Sequence, residues 1–158
     1  MKKIVMLMLV MASMSVKVNA QWFVSGSAAF GYLNDQFVLD LRPTAGYEIN
    51  DRWAVGLGIG MGIRSRDAFG VFDPYARFNC WNNSKFFVDV KGEAKFFFGS
   101  EWINANVGFV PSLRVAINDH WQVAGDFGLF GVQFFEDFAR PAFGFTTTGA
   151  EISAIYKF

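Results

Sequence analysis

The segment Trp53-Ala54-Val55-Gly56-Leu57-Gly58-Ile59-Gly60-Met61-Gly62-Ile63 decides the fold. Its odd positions are large and apolar, and its even positions after Ala54 are all glycine. A period of two belongs to a strand, here with one greasy face and one nearly bare face. The same residues argue against a helix, because four glycines at helical spacing would cost roughly 1 kcal/mol each relative to alanine.

The parity continues in both directions along the chain. From Phe37 to Ile49 the odd positions read Phe37, Leu39, Leu41, Pro43, Ala45, Tyr47 and Ile49, while the even ones include Asp40, Arg42, Thr44 and Glu48. From Phe86 to Phe98 the even positions are apolar or small, and Asp89, Lys91, Glu93 and Lys95 hold odd ones. Trp22 to Tyr32, Ile103 to Ile117, Trp121 to about Gly131 and Thr148 to Phe158 repeat the pattern. Phe72 to Cys80 is the weakest case, with Asp73, Tyr75, Arg77 and Asn79 on its polar face. Eight strands are expected. Asn50-Asp51-Arg52, Trp81 to Lys85 with Asn82-Asn83, and Asn118-Asp119-His120 supply tight-turn chemistry between them, since Asn and Asp tolerate positive φ and bond their own backbone. The alternate connections are Asn34 to Gln36, Arg64 to Val71, Gly99 to Trp102 and Val132 to Ala142, of which the second and fourth are expected to be long. One strand–turn–strand unit recurs: Ile49-Asn50-Asp51-Arg52-Trp53-Ala54-Val55 is echoed by Ile117-Asn118-Asp119-His120-Trp121-Gln122-Val123, with Pro43 and Pro111 at the same offset.

A chain of 158 residues suits one domain. Its 14 basic and 14 acidic side chains cancel, but Lys2, Lys3 and Lys17 lie in the first twenty residues, where no acid occurs. Residues 21–158 therefore hold 11 bases against 14 acids, which argues against nucleic acid as a partner. Met1-Lys2-Lys3, the apolar run Ile4 to Met14 and the small-residue end Val18-Asn19-Ala20 form the three-part layout of a cleaved secretory signal, so residues 1–20 are expected to be a signal peptide and 21–158 the barrel domain. The apolar run is too short for an anchor: about eleven residues as a helix cover about 16 Å, against roughly 30 Å of hydrocarbon. The lone Cys80 excludes an internal disulfide.

Two closed architectures use alternating strands. A soluble barrel puts its apolar face inside, and an outer-membrane barrel turns it to lipid. Strands of soluble proteins average five to six residues, whereas a tilted membrane-crossing strand needs about 9 to 11. Most strands here run 11 or more. Trp22, Trp53, Trp81, Trp121, Tyr47, Phe86, Tyr156 and Phe158 fall near the end with short turns, and Phe30, Tyr32, Phe37, Phe72, Phe96, Phe98 and Trp102 near the other, which reads as two interfacial girdles.

The signal segment, the eight alternating strands, the Ile-Asn-Asp-Arg-Trp turn and the last strand Ile152 to Phe158 together resemble the small outer-membrane β-barrel family to which OmpA-type and OmpX-type proteins belong. The resemblance spans residues 21–158 and implies an all-β, eight-stranded antiparallel up-and-down transmembrane barrel in the outer membrane of a Gram-negative-type bacterium, with both termini periplasmic. It also implies that Tyr156 and Phe158 form a signal read by the barrel-assembly machinery. It says little about activity, because a fold does not dictate a function.

In that arrangement Asp40, Arg42, Glu48, Asp73, Arg77, Asp89, Lys91, Glu93, Lys95, Arg114, Asp126 and Glu151 point inward, where charges must pair. An interior network that plugs the lumen is expected, with the glycines of the third strand making room for long Arg or Lys side chains. Small barrels of this kind include lipid-modifying enzymes, but the only histidine, His120, sits in a predicted turn, and one His with one Cys makes no metal site. No enzyme activity, cofactor or metal is expected. The outer connections carry Arg64, Arg66 and Arg140, candidates for contact with an unknown surface partner and, for Arg64 and Arg66, with lipopolysaccharide phosphates, together with Phe134, Phe135, Phe138 and Phe143. The expected role is structural or surface-interacting, with outer-membrane lipid as the standing partner. The alternative is a narrow channel or a carrier of small apolar molecules.

Overall fold

The computed structural model describes residues 21–33, 36–65, 67–135, 137–144 and 150–158. The expected signal peptide, Arg66 and Glu136 lie outside the described residues. Strands β1 (Gln21–Leu33), β2 (Gln36–Glu48), β3 (Trp53–Arg64), β4 (Asp67–Asn82), β5 (Phe86–Phe98) and β6 (Ile103–Ala116) pair antiparallel with their sequence neighbours. The seventh ribbon is β7 (Trp121–Phe127) followed by β8 (Leu129–Phe134), and the eighth is β9 (Ala139–Gly144) followed by β10 (Ala150–Lys157). β10 pairs with β7 on one side and with β1 on the other, from Phe23↔Lys157 to Phe30↔Ala150, and this closes an all-β, eight-stranded antiparallel barrel. Closure pairs the body of the wall on both sides, while among the described residues β9 pairs with β8 alone.

The end carrying both Gln21 and Phe158 is called proximal. Its three turns use one device: Asn50 Oδ1 accepts from the N–H groups of Arg52 and Trp53, Asn83 Oδ1 from Lys85 and Phe86, and Asn118 Oδ1 from His120 and Trp121, all at 2.8–3.0 Å. The echoed segments make the same backbone bond, Ile49 N to Trp53 O and Ile117 N to Trp121 O, each 2.8 Å. A side-chain acceptor two and three residues upstream substitutes for backbone partners that a two-stranded turn lacks.

At the distal end two expectations are corrected. β4 begins at Asp67 and β8 runs to Phe134 with β9 resuming at Ala139, so the connections expected to be long are short hairpins. The lumen residues Phe69, Val71, Leu129 and Ala142 of these stretches are apolar, so the polar-in alternation that marks the other strands is interrupted there and resumes only at Gln133 and Arg140. The seventh strand also changes phase. β6 pairs with β7 up to Ser112↔Asp126 but with β8 from Phe109↔Phe130, so the seventh ribbon carries one extra residue. Gly128 stands there with φ of 75°, in a conformation that L side chains rarely adopt, and the lumen-facing parity switches from Gln122, Ala124 and Asp126 to Leu129 and Gln133. A second bulge between Asn79 and Trp81 leaves Cys80 exposed.

The two faces of the wall differ sharply. Met61 is 77% exposed on the outside, while Arg42 is 1% exposed inside. Leu41, Ile59, Phe109, Leu113 and Ile152 are likewise exposed, and Asp73, Asp89, Lys91 and Arg114 are buried. Proximal outer aromatics pair along the rim: Trp22 with Tyr47 and Trp121 with Tyr156 at 5.1 Å, and Trp53 with Phe78 at 4.8 Å. Trp102, expected in the distal girdle, turns instead to the lumen mouth, 5.9 Å from the buried Phe69.

Candidate functional site

The lumen is where the chain concentrates polar side chains. Asp40, Arg42, Glu48, Arg77, Asp89, Lys91, Glu93, Lys95, Arg114, Asp126 and Glu151 all lie on its inner face, and their ion pairs fall into two sets. The proximal set is built around Glu48, which takes Lys157 Nζ at 2.7 Å, Arg77 Nη2 at 3.2 Å and Arg114 Nη1 at 3.4 Å. Arg114 also donates to Asp89 Oδ2 at 2.9 Å and Gln122 Oε1 at 2.7 Å, and Asn79 Nδ2 donates to the other Asp89 oxygen at 2.7 Å. The central set joins Arg42 to Glu151 and, at 3.2 Å, to Asp73. There Lys91 reaches Asp126 at 2.5 Å and Glu93 at 2.9 Å, and Lys95 reaches Glu151 at 3.2 Å and Glu93 at 3.5 Å. Arg42, Lys91, Lys95 and Arg114 thus each meet two or more acceptors, the condition under which buried charges hold together, while Arg77 and Lys157 share the single carboxylate of Glu48.

Among the described residues no ion pair links the two sets. Between them lies an apolar cluster of Phe23, Ala54, Ala124 and Ile155, with Tyr75 packed against it. Arg77 of the proximal set stands 5.3 Å from the Phe23 ring centroid, and Lys91 of the central set 5.4 Å from that of Tyr75, so each set caps one of the two rings with a cation. Glycines seat these rings. A Cβ on Gly46 would lie 2.1 Å from Phe23 Cζ, and one on Gly56 would lie 2.4 Å from Tyr75 Cζ.

The glycine stripe of β3 thereby does more than expected. Gly58 gives room to the Arg42 side chain, a long basic group as expected, but Gly60 takes the close backbone approach of Leu41 and Arg42, and Gly56 and Gly62 receive the rings of Tyr75 and Phe69. Two contributors escaped the sequence reading. Lys157 shares the odd parity of Glu151 and could have been found by it. Gln122 is uncharged and carried no signal beyond parity, whereas Asn79 lies on the face where parity put it.

Distal to the central set the lumen opens into a cavity of about 80 Å3, with Asp40 and Lys95 among its polar lining and Phe69, Phe97, Trp102 and Phe135 as aromatic walls. Arg64 lies over Trp102 at 5.3 Å, and Arg140 lies over Phe135 at 5.0 Å while donating to Gln133 Oε1 at 3.1 Å. Of the three guanidinium groups proposed for surface contact, the two that are described, Arg64 and Arg140, are therefore engaged at the mouth. His120 is a turn residue whose Nδ1 stands 3.0 Å from Lys157 O and whose ring stacks on Tyr156. Tyr156 also meets Trp121 and Phe158, so the two residues of the expected assembly signal sit in one exposed aromatic row. Neither a protein-family model nor a curated protein sequence matches this chain.

Proposed function

We propose that the chain is a non-enzymatic β-barrel of the outer membrane of a Gram-negative-type bacterium, with a structural or surface-interacting role and a lumen plugged by its own ion pairs. The observation that carries this reading is the inversion of the wall: apolar side chains cover the outside of every ribbon, and lysine, arginine, aspartate and glutamate fill the inside. In water such an arrangement would expose far more contiguous apolar surface than a soluble monomer tolerates, and it would bury charges that solvent could have taken. Against acyl chains the first cost vanishes, and the lumen becomes the only side of the wall on which a charge can find partners. The aromatic rows at the proximal rim are of the kind that membrane interfaces favour, and the segment Met1 to Ala20 has the layout of an export signal.

Outer-membrane lipid is the first partner of this surface. Tyr156 and Phe158, at the end of the strand that closes the ring, would be the segment recognised by the barrel-assembly machinery. Fractionation of the expressing cell, with heat-modifiable migration on a detergent gel, tests the assignment: the protein should sediment with outer membrane and shift on heating. Recovery as a soluble periplasmic protein without a shift overturns it. The plug is tested separately in planar bilayers, where two unlinked ionic sets flanking an apolar cluster should give no steady large conductance. Sustained single-channel currents would replace the plug with the channel reading.

A further inference from the structure

The distal cavity carries its unneutralised charge at the mouth, and that charge is positive. Deeper in the lumen Arg42, Arg77, Lys91, Lys95, Arg114 and Lys157 each meet a carboxylate. Arg64, which lines the cavity, and Arg140, beside its Phe135 wall, meet none among the described residues; each lies over an aromatic ring instead. The described acids of the distal turns, Asp67, Glu101 and Asp137, are exposed and pair with neither. At the floor the charges are enclosed: Glu93 and Glu151 hold Lys95, and the buried Asp40 carboxylate faces Arg42 Nη1 at 4.0 Å.

A guanidinium over a ring keeps its donors. Arg64 makes no side-chain hydrogen bond among the described residues, and Arg140 uses only its Nε, toward Gln133 Oε1. The fork of N–H groups that remains matches a carboxylate, and the ring beneath limits how far the fork can swing. The walls below are apolar and already in place. Phe69 and Phe97 meet edge to face at 5.8 Å, and the rings of Phe69 and Trp102 occupy the space that Gly62 and Gly99 leave by lacking a Cβ. At about 80 Å3 the cavity is roughly half the ~150 Å3 engineered void that admits benzene, so it encloses about three or four carbons, too few for the acyl chain of a lipid.

We infer that the distal lumen is a binding site for a free short-chain monocarboxylate, whose carboxylate accepts from the Arg64 guanidinium at the mouth and whose alkyl body lies against Phe69 and Phe97. Arg140 adds positive charge at the same rim, and the Asp40 carboxylate at the floor keeps the anionic head from entering first. A neutral alcohol of the same length keeps the apolar contacts without the charge, and an alkylammonium meets two guanidinium groups. The site uses the distal end of the barrel alone, so it stands or falls independently of what surrounds the wall.

The refolded full chain in a maltoside detergent, titrated with butyrate, n-butanol and n-butylammonium while the Trp102 indole and the side-chain amides of Asn104 and Gln133 are followed by NMR, tests this. The expected result is saturable shifts with butyrate, binding of butanol about tenfold or more weaker, as befits loss of a charge-assisted hydrogen bond, and no binding of butylammonium. Arg64→Gln should remove the preference for butyrate over butanol, and Ala29→Leu should block both by filling the cavity without altering a charge. Salt keeps the test decisive if either variant does not refold: raising sodium chloride from about 20 mM to about 300 mM should weaken butyrate severalfold in the unaltered chain and leave butanol as it was. Equal binding of acid and alcohol, a preference that survives Arg64→Gln or high salt, binding of butylammonium, or no saturable shift at all would overturn the proposal.

Discussion

On the outer face of β3, Leu57, Ile59, Met61 and Ile63 stand exposed, each free to vary in shape. On its lumen face a Cβ at Gly56, Gly58, Gly60 or Gly62 would come within 2.7 Å of an atom of a neighbouring strand. One backbone thus carries two kinds of constraint. Outside, the requirement is transfer free energy, satisfied by any apolar side chain; inside, it is shape and charge pairing, satisfied by very few side chains. Substitutions on the two sides of the wall should differ in kind, and the following sets are arranged to expose that difference.

The largest effect belongs to the lumen. Arg42→Met keeps volume but removes the cation shared by Glu151 and Asp73, leaving buried carboxylates short of a partner. Breaking a buried pair in this way costs about 3–5 kcal/mol. Urea unfolding in phosphatidylcholine vesicles, followed by tryptophan emission, would measure it. Adding Asp73→Asn should recover part of the loss, because directly interacting groups couple by about 0.5–3 kcal/mol. A loss under about 1 kcal/mol would mean that water reaches Arg42 and that the network is a solvated lining.

The next effect tests the outside. Leu57 lies midway along β3 with its side chain outward. If that side meets hydrocarbon, Leu57→Arg costs about 2–4 kcal/mol, as charges do on the lipid face at the midplane of membrane barrels. If it meets water, the change stays within about 0.5 kcal/mol. The same unfolding measurement separates the two, and this single residue therefore bears directly on the proposed location.

How much of this was legible in the sequence follows from the same division. Parity alone placed all twelve charged residues on one face, because charge and grease alternate along β2 and β5 and glycine and grease along β3. It failed where the lumen becomes apolar: Phe69, Val71 and Leu129 look like outward residues to any reader who expects polar-in alternation. The bulge at Gly128 then shifts the phase by one residue within an unbroken apolar run, and no residue type announces a positive φ there except the glycine itself. Trp102 was misplaced for a related reason. A tryptophan at a strand end suits an interface, and only its contacts with Phe69 and Arg64 show that it faces the mouth. The distal cavity was invisible because its aromatic and charged lining, Phe69, Phe97, Trp102, Phe135, Asp40 and Lys95 among it, comes from separate strands and connections, and none of these residues is unusual in its own segment.

A smaller loss is expected at the closest approach of two strands. A Cβ on Gly60 would lie 2.3 Å from the Leu41 carbonyl oxygen and 2.8 Å from Arg42 Cα, both backbone atoms that cannot swing aside. Gly60→Val should cost about 1–3 kcal/mol through overpacking. Gly26 is the control, since nothing lies within 4 Å of the position its Cβ would take. Gly26→Val should be neutral by the same unfolding midpoint, and a matching loss at both positions would show that valine is penalised by something other than crowding.

The smallest effect is the most informative about what surrounds the wall. Met61→Leu alters the shape of a side chain that is 77% exposed without much altering its volume or polarity. Fluid acyl chains re-form around either residue, so no cavity persists and no rotamer is forced, and the stability change should stay within about 0.5 kcal/mol. A fixed neighbour would behave otherwise: a folded protein surface seated on β3 holds its atoms in place, and a change of branching there is felt as a gap or a clash. A loss above about 1 kcal/mol would therefore mean that this face meets a second protein rather than lipid, and a concentration dependence of the unfolding midpoint would identify that protein as another copy of the chain.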